Sequence, residues 1–90
     1  MNSLSFSMES QIREAVRKGN KLIEYQTECR RLSRESERLN AEKKRILEGF
    51  LDGKYDQEEY YERRDRNDDA GSLLTKKWKE MKTRMDTLTE

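Results

Sequence analysis

The sequence predicts an all-α chain folded back on itself as a long antiparallel helical hairpin, a two-stranded coiled coil. Three observations predict it. The 90 residues include no proline and only four glycines, so little interrupts a helix. One dense cluster of turn signals occupies residues 51–60. Two apolar series, one on each side of that cluster, match layer for layer when the chain reverses there.

Composition limits how thick such a fold can be. Leu, Ile, Val and Phe make up 15 of 90 residues, and charged residues are 43%. A thick core is out of reach for so few apolar side chains, but a narrow helix–helix seam is not. Twenty basic residues nearly cancel nineteen acidic ones, and the net charge of +1 gives no global attraction to nucleic acid or acidic lipid.

The elements follow in order. Residues 1–6 read as a disordered polar tail ahead of a single domain over 7–90. Ser7 is placed to cap a first helix over about 7–51, with Glu9 favourable to the helix dipole. Gly19 costs that helix about 1 kcal/mol relative to Ala. The turn falls at 52–56. There Gly53 suits the left-handed position that closes a helix. Asp56 and Glu59 have capping-box spacing, and Tyr55 and Tyr60 that of a hydrophobic staple. The second helix is expected over about 57–88. Its weak point is Asn67-Asp68-Asp69-Ala70-Gly71-Ser72, where a break at 67–72 would give three helices.

Reversal at Gly53 sets the register. Leu22, Tyr25, Cys29, Leu32, Ser36, Leu39, Lys43, Ile46 and Phe50 recur at alternating spacings of three and four, the pattern of a coiled-coil seam. Tyr60, Arg64, Asn67, Gly71, Leu74, Trp78, Met81, Met85 and Leu88 repeat it. Folding back sets Phe50 against Tyr60, Leu32 against Trp78, Cys29 against Met81, Tyr25 against Met85 and Leu22 against Leu88. Trp78 is therefore expected in the core. The layers Leu39–Gly71, Lys43–Asn67 and Ile46–Arg64 are poorer, and residues 62–69 have no apolar side chain, so a kink or fraying is expected there. Residues 30–45 are net basic and 56–69 net acidic, so the arms should attract. Exposed pairs of this kind contribute only about 0–1 kcal/mol each.

The two helices differ in length. About 45 residues against about 32 correspond to roughly 67 Å and 48 Å, so residues 8–20 overhang. Met8, Ile12, Val16 and, further along, Ile23 make an apolar stripe with no partner in the chain. Such a stripe reads either as a frayed amphipathic tail or as a face covered by another protein or by a second copy, the last giving a four-helix homodimer.

Catalytic chemistry is not expected. The chain has no His, the commonest general base and metal ligand. Cys29 lies on the seam and reads as a small core residue. No phosphate loop, metal-ligand spacing or nucleophile elbow is present, so no cofactor, metal or small-molecule ligand is expected. No apolar run is long enough to span a membrane, and the first residues lack the basic and apolar regions of a signal peptide. A cytoplasmic location is the expectation. Two basic stretches give an alternative, a small nucleic-acid-binding accessory protein. Arg30, Arg34 and Arg38 form a row at four-residue spacing, and Lys76, Lys77, Lys79, Lys82 and Arg84 cluster around Trp78. Both are expected to meet at the open end of the hairpin.

The turn run Leu51-Asp52-Gly53-Lys54-Tyr55-Asp56-Gln57-Glu58-Glu59-Tyr60 has a recurring order: Leu-Asp-Gly, an apolar residue two on, a cap, then Glu-Glu and an aromatic. Over residues 40–64 it resembles the coiled-coil hairpin of large serine recombinases. It is also similar to short C-terminal helical domains with the same order. The catalytic and zinc-binding parts of the recombinases have no counterpart here, which removes recombination from the implied activities. The resemblance implies a protein-contact device encoded by a phage or mobile element. Together these readings lead to a regulatory, adaptor, inhibitor or assembly protein acting through protein–protein interaction.

Overall fold

A computed structural model describes residues 2–89, with side chains from Met8 onward. Helix α1 runs Asn2–Leu51 and helix α2 runs Gln57–Thr89, and the described residues include no strand. The two lie antiparallel in a rod of 78 × 15 × 14 Å. The long dimension is that of α1 itself, since 50 residues rising about 1.5 Å each span roughly 75 Å.

The turn forms as its residues dictate. Gly53 has φ 80°, the left-handed conformation that a side chain disfavours. Its N–H donates to the Phe50 carbonyl at 3.1 Å, and the Lys54 N–H donates to the Gly49 carbonyl at 2.8 Å. These two bonds are the Schellman closure of a helix end. Asp56 then caps α2, its Oδ1 accepting from the Glu59 N–H at 2.8 Å. Glu58 and Glu59 stand in the first turn, where the helix dipole favours them.

Two details differ from the sequence expectation. The Glu59 carboxylate takes Arg63 as its partner, at 3.0 Å. Tyr60 stacks on Phe50, as the register sets it, with ring centroids 4.5 Å apart, but Tyr55, expected to staple against Tyr60, packs over Gly49. A Cβ added at Gly49 would lie 2.5 Å from the Tyr55 ring. Arg63 covers that ring, 4.3 Å from its centroid.

The seam keeps the expected register, with Leu32, Leu39 and Ile46 as its buried apolar residues. Leu22, Tyr25, Cys29, Ser36 and Phe50 are half-buried, as are Tyr60, Arg64, Gly71, Leu74, Met81, Met85 and Leu88. The Lys43–Asn67 layer is the one whose roles separate. Lys43 extends to the surface and pairs with Asp68 at 3.7 Å. Asn67 is buried, and its side-chain amide donates to the Leu39 carbonyl at 3.0 Å and to Glu42 Oε1 at 3.2 Å. The arms attract less than their net charges suggest. Lys43–Asp68 is the one ion pair among the described residues that crosses the hairpin. The others join residues on the same helix.

Three expectations are corrected. Residues 2–6 belong to α1, and Ser7 lies inside the helix rather than at its start; Met1 lies outside the described residues. The stretch 62–69 neither frays nor kinks, and α2 passes unbroken through 67–72. Local pairs hold it, Arg63 with Glu59 and Arg66 with Glu62 at 3.5 Å, while Asn67 ties it to α1. Trp78, expected in the core, is 43% exposed.

Candidate functional site

The hairpin leaves one end of α1 uncovered. Leu22 is the first half-buried residue of α1 among those described, and every residue from Met8 to Lys21 is exposed. The register sets Leu88 opposite Leu22, both half-buried, and α2 is described as far as Thr89.

On this overhang Met8, Ile12 and Val16 recur every four residues, about one helical turn. Their exposures are 59%, 61% and 56%, and that of Ile23 is 60%. Ile23 follows Leu22 and is rotated about 100° from it, so the stripe wraps away from the seam. Ala15 and Gly19, which the sequence reading passed over, complete the same face. Their spacing of three from Ile12 and Val16 was the available signal. A Cβ at Gly19 would meet nothing within 4 Å. The opposite face is polar. There Arg17 donates to Glu14 at 2.7 Å, and this hydrogen bond holds the Glu14 carboxyl below its ordinary value.

The basic residues divide. Arg38 is engaged by Glu35 and by Glu42. Arg30 and Arg34 have no acidic partner within ion-pair distance among the described residues, nor do Lys76, Lys77, Lys79, Lys82 and Arg84. Arg34 and Lys76 do not converge, whereas Lys77 lies beside the seam near Glu28 of α1. Arg34 stands two positions beyond buried Leu32, about 200° round α1. Lys76 stands two positions beyond half-buried Leu74, an equal rotation round α2. Each therefore points outward on its own side of the rod.

A groove of about 790 Å³ runs beside the seam, bounded by Leu32, Leu39, Gly71, Leu74 and Trp78. It is the space the Leu39–Gly71 layer leaves, since no side chain grows from Gly71 and nothing lies within 4 Å of where its Cβ would be. Single exposed apolar residues elsewhere, Leu47, Leu51 and Leu73, form no comparable row. Among the described residues no group of His, Cys, Asp and Glu could hold a metal ion, and no helix is long and apolar enough to cross a membrane.

No family model matches the chain, and neither the curated proteins nor the solved structures contain a match.

Proposed function

We propose that this chain is a non-enzymatic helical hairpin that binds another protein through the overhanging part of α1, as an adaptor, inhibitor or assembly factor. The observation that carries the reading is the continuous exposure from Met8 to Lys21, with Met8, Ile12 and Val16 aligned on one face. Covering Ile12 and Val16 in a complex is worth roughly 3–6 kcal/mol before association costs. The hairpin supplies a rigid stem that holds this helix in place. The turn's likeness to the recombinase hairpin agrees with a protein-contact role.

A photo-crosslinking residue at Ile12, introduced in the native host, tests it. Capture of a protein at Ile12, with none from the same probe at Arg17 on the polar face, is the expected result. Absence of any protein adduct at Ile12 refutes the reading.

The cations without acidic partners favour a second reading, contact with a nucleic-acid backbone through Arg30, Arg34, Lys76, Lys77, Lys79, Lys82 and Arg84. Retardation of generic duplex that weakens steeply with salt would support it. Arg34 and Lys76 point outward on opposite sides of the rod, which makes it the lesser of the two.

A further inference from the structure

We infer that the occupant of the overhang is a second copy of this chain, paired antiparallel about the bond between Ala15 and Val16. The inference rests on the reading of the overhang as a protein-binding face and adds the identity and register of the partner.

The face is symmetric about its centre. The residues of the face are Met8, Ile12, Ala15, Val16, Gly19 and Ile23, separated by four, three, one, three and four positions. That series reads the same in both directions. A two-fold axis through its centre sets Met8 against Ile23, Ile12 against Gly19 and Ala15 against Val16, each pair occurring twice. An isologous interface requires a surface complementary to itself, and this spacing meets that requirement.

Side-chain sizes agree with that register. Gly19 is open to solvent and offers a hole for the Ile12 side chain of the other copy, in the manner of a coiled-coil knob. A parallel pair would set Gly19 against Gly19 and leave a void at that layer. The face itself carries no charge. Glu14 and Arg17 bond to each other on the far side, and Glu9 and Asn20 border the stripe on one flank, Gln11 and Lys18 on the other. α2 does not obstruct it either. Leu22 faces the seam and Ile23 lies about 100° round the helix, so a second helix reaches Ile23 without meeting Leu88.

Disulfide trapping in a Cys29→Ser background tests the register. Met8→Cys and Ile23→Cys chains are made singly, then mixed under mild oxidation. The mixture is expected to yield the mixed disulfide as its main dimer. Met8→Cys alone should give little, because antiparallel pairing holds the two positions 8 about 22 Å apart. Dimer from Met8→Cys alone as abundant as from the mixture overturns the antiparallel register. A Gly19→Leu change favours helix yet fills the hole, and should weaken self-association about tenfold or more. Unchanged self-association in that variant also overturns the register. Sedimentation of the wild type from about 10 to 500 μM, the range suited to so small an interface, tests the partner itself. A purely monomeric mass refutes the second copy, whereas capture of a different protein at Ile12 would then leave the wider reading standing.

Discussion

The Asn67 side-chain amide donates across the seam to the main-chain carbonyl of Leu39, 3.0 Å away. It is the one buried polar side chain among those described, and its second bond goes to Glu42 at 3.2 Å. A buried amide contributes little net stability. It penalises every register in which it loses its partners, which is how single polar residues align coiled coils.

Asn67 therefore separates stability from alignment. Asn67→Ala should lower unfolding stability by about 1–2 kcal/mol through the lost bond and the space left behind. Asn67→Leu should match or exceed wild-type stability while permitting slipped or higher-order species. Denaturant unfolding measures the first effect and sedimentation the second. A destabilised but homogeneous Asn67→Leu protein would contradict the assignment.

Gly49 should not tolerate a methyl group. The Tyr55 ring stands 2.5 Å from the added Cβ, so Gly49→Ala must displace it from Arg63 and disturb the turn. The helix-propensity gain of about 1 kcal/mol is then outweighed, and the variant should melt below wild type. The double variant Gly49→Ala with Tyr55→Ala removes the clash and should recover part of the loss. Thermal melts of the three proteins decide it.

Trp78 is exposed enough to change the expected cost of removing it. Full burial would make Trp78→Ala cost about 3–5 kcal/mol. With 43% of the residue open to solvent, about 1–2 kcal/mol is expected. Emission should be red-shifted, and acrylamide should quench it in the folded state. A blue-shifted, protected indole would place it back in the seam.

Acid should weaken the hairpin only gently. Hydrogen bonds from Arg17, Arg31 and Arg38 hold Glu14, Glu28 and Glu35 below the ordinary carboxylate range. A carboxylate depressed in the folded state stabilises it above the unfolded value, and that contribution is lost as pH falls through the folded value. All three pairs are exposed and local, so screening limits what each adds. Circular dichroism on titration from neutrality should show a shallow loss of thermal stability that begins as pH enters the ordinary carboxylate range and is complete only below it. A sharp acid transition would implicate a buried carboxylate that the fold does not contain among its described residues.

What the sequence disclosed depended on local spacing. Gly53, Asp56 and the three-and-four recurrence located the turn and the register, because backbone conformation and facing positions follow from them. Residues competing within a layer were less legible. Facing positions place Lys43 opposite Asn67, but not which stays inside. Lys43 has a flexible stem that reaches Asp68 at the surface, and the shorter amide takes the interior. Trp78 is not enclosed because Ser36 in the next layer and Gly71 in the one beyond leave too little side chain around an indole. The start of α1 was obscured by serines at positions 3, 5 and 7, any of which could have served as a cap. The overhang was visible from helix lengths alone. Its symmetry emerged only once Ala15 and Gly19 were seen on the same exposed face.

The unequal arms have a consequence for amide exchange. Among the described residues no second helix supports α1 beyond Leu22, and a lone helical stretch of that length is marginal in water. Its order is borrowed from the paired segment, so protection should step down at Leu22 and decline toward Met8 while the seam amides report global unfolding. Whatever settles on the stripe must then complete the ordering of the helix it grips. Part of the contact energy is spent on that ordering, leaving modest affinity and ready release.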